Sequence, residues 1–259
     1  MKIAINQPYF LPYLGYFQLI AAADLFVAYE NVAYTRKSWI SRNRLQGKAR
    51  APYFISLPTV KASNGTLIRH IRLHESAAQE VAGLLRRIRN DYAKSACFGE
   101  VFGEIEQMFK VAPYTTITAF NNHCLKWICT LLDIKTELSL EHDALMSFEA
   151  ELSSDKQHGS FDVKSQRVFR LMSHFGGGHY LNLSGGAALY GYDEFRKNNL
   201  ELDFLQIPKL KYPQFQDAFI PHLSILDALF HCGVQYTRGL VYDYKFQQKP
   251  GVYTCLNSY

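Results

Sequence analysis

Apolar residues along the chain recur at two different spacings, and the two predict different elements. KIAIN (2–6) and DLFVAYE (24–30) are short apolar runs of strand length, while YLGYFQLIAAA between them places Leu14, Phe17, Leu19 and Ile20 broadly on one side of a helix. Strand, helix, strand predicts a βαβ unit with a right-handed crossover. RAPYFISLPTV (50–60) predicts a strand broken at Pro58, SNGT a turn, and the alternation in LIRHIRLH (67–74) another strand. Apolar residues then recur three and four apart through 75–95, 98–112 and 115–134, predicting three helices. TELSLEHDAL (136–145) fits a strand followed by a loop. LSSDKQHGSFDVKS (152–165) has no period and predicts a mobile connection.

Regular patterning resumes at KSQRVFRLMSHFGG, a helix with Val168, Leu171, Met172 and Phe175 on one face and a glycine stop. HYLNL (179–183) and LELDFLQI (200–207) predict strands around a loop and helix at 185–199. HLSILDALFHCG (222–233) predicts a helix ended by its glycine. Strands and helices alternate at both ends of the chain around an all-helical middle. The expected fold is therefore α/β: a mainly parallel sheet with flanking helices from residues 1–73 and 160–259, and a helical insertion or subdomain at 74–150.

Composition changes this picture little. The 259 residues are 48% hydrophobic and 20% charged, ordinary for a soluble globular chain and enough to bury a sizeable core. No apolar run reaches the length of a membrane span, and MKIAINQP is too short for a signal peptide. The five cysteines, Cys97, Cys124, Cys129, Cys232 and Cys255, form no CxxC and no zinc spacing; they fit reduced thiols and a cytoplasmic location. The net charge is +5, with its densest basic stretch at 35–50, TRKSWISRNRLQGKAR. No nucleic-acid fold signature accompanies that stretch, so a phosphorylated small molecule is the favoured partner over nucleic acid. A solvated strand edge would have the same composition.

Candidate chemistry starts at QPYFLPYLGYF (7–17), where two prolines, a glycine and five rings follow the first strand. The loop leaving the carboxyl end of a parallel strand is where ligands bind, and the next helix points its N–H groups there. Gln7 can donate and accept, Tyr9, Tyr13 and Tyr16 can stack and hydrogen-bond, and Gly15 permits close approach of a ligand or of another backbone. A rigid aromatic turn would use the same residues. In the cluster YENVAYTRKSWISRNR, an extended chain would bring alternate residues onto one face. There Tyr34, Arg36, Lys37, Arg42 and Asn43 would meet phosphate or sugar, and Trp39 would stack on a base or sugar. Lys164, Ser165 and Arg167 are expected at a helix start, which favours anions. His222 precedes a helix and is a candidate general base, with Asp227 as the alternative; Ser224 reads most simply as the helix N-cap. No metal-ligand cluster is expected. P-loop, dinucleotide and nucleophile-elbow patterns are absent.

Two resemblances extend these expectations. PYLGYFQLIAAADLFV (12–27) resembles the nucleotidylyltransferase-like layout, with tyrosines standing where that pattern has histidines. INQPYFLPYLGYFQLI, DLFV, the W-x-x-RNR stretch, KSQRVFRLMSHFGGGHYLNLSGG, YDEF and LSILDALFHCG together resemble the WbqC-like family over nearly the whole chain. That resemblance implies a bacterial protein of the surface-polysaccharide or O-antigen type of gene cluster. It further implies acyl or aminoacyl (amide-forming) transfer onto a nucleotide-linked amino sugar. The partners would be that sugar and an acyl or amino-acid donor, with ATP and Mg²⁺ needed only if an acyl-adenylate is formed. A glycosyltransferase and a non-enzymatic sugar-nucleotide-binding accessory protein are the alternatives.

Overall fold

The computed structural model describes residues 1–47, 51–140, 160–207, 211–216 and 218–247. Its frame is a sheet of β1 (Lys2–Asn6), β2 (Leu25–Ala28), β5 (Glu137–Ser139), β6 (His179–Leu183), β7 (Glu201–Gln206) and β8 (Lys245–Phe246), ordered β5-β2-β1-β6-β7-β8. All neighbours are parallel except the β7–β8 pair. A separate antiparallel hairpin joins β3 (Arg42–Gln46) and β4 (Pro52–Ser56). The helices are α1 (Leu14–Ala22), α2 (Ala77–Tyr92), α3 (Phe98–Lys110), α4 (Ile117–Leu131), α5 (Ser160–His174), α6 (Tyr192–Lys197) and α7 (Ile225–Tyr242).

The period-2 patterning of the central strands explains the layering. Ile3, Leu25, Val27, Tyr180, Leu202 and Phe204 face one side of the sheet and pack with Val168, Leu171 and Met172 of α5 and Phe195 of α6. Ala4, Phe26, Ala28, Leu181 and Leu205 face the other side, where α1, α7 and the β3–β4 hairpin pack. Apolar residues of α2, α3 and α4 join that second cluster, so these three helices share a core with α1 and α7 before the chain enters β5. A strand buried on both faces is apolar at successive positions, which is why KIAIN and LFVA carry no polar alternation.

The strand order puts the topological switch between β1 and β6. The chain leaves β1 toward β2 and β5, then crosses back through α5 to β6 on the other side of β1. In doubly wound sheets the crevice at such a switch, outside the carboxyl ends of the strands, is where ligands bind. The end of α5 is fixed at the opposite edge, because Gly178 N–H donates to Met1 O at the amino end of β1. The amino end of α5 therefore lies over the crevice.

Local expectations fail where tertiary contacts outweigh pattern. Residues 67–74 are not a regular strand: Ile68–His70 is a 3₁₀ turn, flanked by isolated bridges from Leu67 to Ala33 and from Leu73 to Thr59. Its alternate apolar residues are buried all the same, with Ile68, Ile71 and Leu73 all in the core. Among its described residues the basic stretch forms a strand over β3, while residues 36–41 form turns, so those side chains do not share one face. Helix α5 begins at Ser160, which leaves Lys164 and Arg167 a turn or more inside it rather than at its start. Gly233 does not end α7; it breaks the helix with φ +75°, and helical structure resumes to Tyr242. Of the stretch expected to be a mobile connection, 152–159 lies outside the described residues, as does Cys255.

Candidate functional site

The loop at 7–13 is held by nearly every carbonyl it owns. Gln7 O accepts from the Tyr16 hydroxyl at 2.6 Å, and Pro8 O from Asn121 Nδ2 at 2.8 Å. Phe10 O and Leu11 O accept from Asn43 Nδ2 at 3.0 and 2.8 Å. Pro12 O takes the Ile225 N–H, and Phe10 N–H donates to Trp39 O. Asn121 also reaches Ile40 O at 2.8 Å, tying the loop and the Trp39 turn to α4. Leu11 sits at φ +44°, a strained conformation for a side-chain-bearing residue that persists only where surroundings enforce it. The prolines and rings of QPYFLPYLGYF thus serve rigidity: Phe10, Leu11, Tyr16 and Phe17 are fully buried, and Tyr9 and Tyr13 are left at the surface of the crevice.

The crevice is a cavity of about 680 Å³ at the β1–β6 switch. Its walls come from the carboxyl ends of β1 (Asn6, Gln7), β6 (Asn182, then Ser184 and Gly185) and β7 (Ile207), from Lys164 and Arg167 of α5, and from Tyr9, Tyr13, Trp39 and His222. Asn6 ends β1 and Asn182 is the last residue but one of β6; each side-chain oxygen accepts the following N–H at 2.8 Å, and both residues line the cavity. Lys164 and Arg167 are the charged lining residues, and no Asp or Glu is present among the described lining. The surface therefore suits an anion with attached rings. It offers cations for phosphate but, among the described residues, no carboxylate to seat Mg²⁺.

Two further cavities, of about 400 and 280 Å³, adjoin this one, and Tyr13 and His222 border all three. Their rings meet edge to face with centroids 5.2 Å apart. His222 is exposed and sits at φ +58° on a corner that β3 holds from both sides. Arg44 Nη2 donates to Pro221 O at 3.1 Å, and Ser224 N–H donates to Arg44 O at 2.9 Å. Burial, with a smaller contribution from Tyr9, pushes the Tyr13 phenol up to about 12, and burial raises Tyr9 as well. Both remain neutral hydrogen-bond donors at physiological pH.

Of the sequence candidates, Gln7, Tyr9, Tyr13, Trp39, Lys164, Arg167 and His222 meet in the crevice, and Asn43 reaches the smallest cavity. Asn43 is itself buried and spends its amide on the loop backbone. Tyr16, which stands where the nucleotidylyltransferase-like pattern has its second histidine, is sealed in the core. Gly15 borders the apolar cavity, and its close approach is to side chains: a Cβ there would lie 2.2 Å from Ile207 Cδ1 and 2.7 Å from the Tyr13 ring. Tyr34, Arg36, Lys37 and Arg42 do not line these cavities. Arg42 instead lies over the Phe54 ring, 4.5 Å from its centroid.

Asp227 cannot exchange a proton with a ligand. It is fully buried, accepting from Tyr92 Oη at 2.6 Å, Tyr212 Oη at 2.9 Å and Gln214 Nε2 at 3.0 Å. Burial raises its carboxyl above the usual range against the pull of those donors and of His231. Ser224 caps α7, its hydroxyl accepting from Leu226 N–H. Sequence reasoning missed Asn6, Asn182, Ser184 and Gly185. The available signal was a pair of predicted strands, KIAIN and HYLNL, with Asn at the last position of the first and the last but one of the second, which is followed by Ser-Gly-Gly.

A model of the WbqC-like protein family matches residues 7–238. The chain belongs to the WbqC-like protein family. That match runs from the first crevice loop into α7 and takes in the walls described above except Asn6. Among curated WbqC-like relatives, the uncharacterized protein Rv1507c of Mycobacterium tuberculosis (strain ATCC 25618 / H37Rv) is 27% identical over 238 residues, covering 90% of this chain and 95% of the relative. No solved structure matches the chain. Among the described residues, no helix is long and apolar enough to cross a membrane.

Proposed function

We propose that the crevice binds an amino sugar carried on a nucleoside diphosphate, and that the protein transfers an acyl or aminoacyl group to that amine in bacterial surface-polysaccharide synthesis. One observation carries the proposal. A switch-point crevice combines two cations, stacking rings and two amide donors, has no carboxylate in its described lining, and opens at His222 onto two neighbouring cavities. Lys164 and Arg167 would take the diphosphate, Trp39 and Tyr9 would stack on base or sugar, and Asn6 and Asn182 would donate to sugar hydroxyls.

In the transfer, the neutral amine nitrogen attacks the acyl carbon and forms the C–N bond. His222 takes the proton lost by nitrogen. The bond from the acyl carbon to the leaving atom breaks, the electron pair leaves with that atom, and His222 returns the proton to it. The lack of a carboxylate seat for Mg²⁺ among the described lining favours a donor that arrives already activated.

The test is to incubate the protein with UDP- and dTDP-linked amino sugars and an activated acyl donor, and to read the products by mass spectrometry. Amide-bearing sugar nucleotide is expected from the wild type. His222→Gln should lower turnover by about 10²–10⁴-fold while sugar-nucleotide binding persists. Release of free nucleoside diphosphate would point to glycosyl transfer, and binding with no product would point to an accessory role. Either outcome overturns the proposal.

A further inference from the structure

The cavity of about 400 Å³ beside the crevice differs from it in chemistry. Leu14, Ile207, Tyr212, Phe219 and Leu223 form its walls, and exposed Lys211 is the one formally charged residue in its described lining. It joins the crevice at Tyr13, Ile207 and His222. The Tyr212 hydroxyl is taken up by Asp227, and its ring meets Phe219 edge to face at 5.1 Å. Gln214 closes this wall in both directions, donating to Ile220 O at 3.1 Å and accepting Ile220 N–H at 2.8 Å, while its Nε2 also reaches Asp227. The buried Asp227 carboxylate thus organises a preformed apolar wall, and its three donors explain why a charge-bearing residue sits inside α7.

We infer that this cavity seats the hydrocarbon acyl group of the second substrate, an acyl thioester whose anionic carrier passes Lys211. The role as second-substrate seat rests on the transferase proposal above. The described walls offer no acid for an ammonium, and their one formal cation, exposed Lys211, is assigned to the carrier, so the transferred group is an aliphatic or aromatic acyl. It would meet the crevice where Tyr13, Ile207 and His222 border both cavities, which brings the acyl carbon to the imidazole. The amine attacks that carbon, the C–N bond forms and the C–S bond breaks. The thiolate departs with the electron pair and receives the proton that His222 took from nitrogen.

The test uses the full chain and N-acetylcysteamine thioesters of acetate, butyrate, hexanoate and octanoate, with binding measured by calorimetry and the binding of UDP and dTDP measured in parallel. Affinity should rise about fourfold per added methylene until the cavity is filled. Phe219→Ala, whose side chain lines this cavity and not the crevice, should flatten that slope and leave nucleotide binding unchanged. A slope near zero in the wild type overturns the inference without using any variant. An unaltered slope in Phe219→Ala also overturns it, since the chains would then bind elsewhere. No binding of UDP or dTDP by the wild type, with the wild-type chain-length slope present and flattened in Phe219→Ala, would sink the nucleotide-sugar proposal and leave the acyl seat standing.

Discussion

Asn43→Ala separates two roles for one residue. If Asn43 were chiefly a ligand contact, its removal would leave stability within about 0.5 kcal/mol and reduce ligand affinity alone. The structure assigns it a different task. Its amide nitrogen is the donor to Phe10 O and Leu11 O, and its oxygen accepts Arg44 N–H at 2.8 Å. Alanine strands two buried carbonyls, at about 1–3 kcal/mol each. Relief of the left-handed Leu11 conformation returns about 1–3 kcal/mol once the clamp is gone. The net loss should be about 1–3 kcal/mol, a fall in melting temperature of roughly 2–12 °C for a chain of this size. Urea denaturation followed by tryptophan fluorescence and far-UV circular dichroism would measure it, with the midpoint falling and the slope unchanged. A variant within about 0.5 kcal/mol of wild type would refute the clamp.

Other outcomes follow from the same geometry. Asp227→Ala leaves Tyr92, Tyr212 and Gln214 without their shared acceptor and should cost about 3–5 kcal/mol in equilibrium unfolding; a loss under about 1 kcal/mol would contradict the hub. Trp39, 41% exposed, should behave in the opposite way: Trp39→Ala leaves stability nearly unchanged but weakens sugar-nucleotide binding by about 1–3 kcal/mol, and equal affinity by calorimetry would remove it from the site. Burial lowers the pKa of His231 below its ordinary 6.5, with Asp227 partly opposing. As pH falls through that value the unfolded chain binds the proton first, so wild type should lose stability relative to His231→Gln between about pH 7.5 and 5.5; parallel curves would contradict this.

What the sequence made legible was local and periodic. The βαβ opening, the three middle helices and the closing strands follow from spacing, because burial on one or both faces imposes that spacing directly. Strand order was not legible: nothing in KIAIN says that β6, more than 170 positions later, will be its neighbour. The loop clamps were equally hidden, since Asn43 and Asn121 act on carbonyls 33 and 113 residues away. Candidate residues chosen for their loop position, such as Tyr9, Tyr13, Trp39 and His222, do line the cavities. Candidates chosen by charge alone fare differently: Arg36 and Lys37 are exposed on a turn, away from the cavities described. Asp227 was a candidate base because it follows His222 on the first turns of a helix, yet its surroundings make it an organiser of the core.

The central claim is that Lys164 and Arg167 on α5 receive a nucleoside diphosphate at the β1–β6 switch. Isothermal titration of a UDP- or dTDP-linked amino sugar into wild type and into Lys164→Ala/Arg167→Ala tests it most directly. The account predicts binding by the wild type that weakens as salt rises, and at least a tenfold loss, about 1.4 kcal/mol or more, in the double variant with its fold intact. Equal affinity in the two proteins, or no binding by the wild type to either nucleotide sugar, would contradict it.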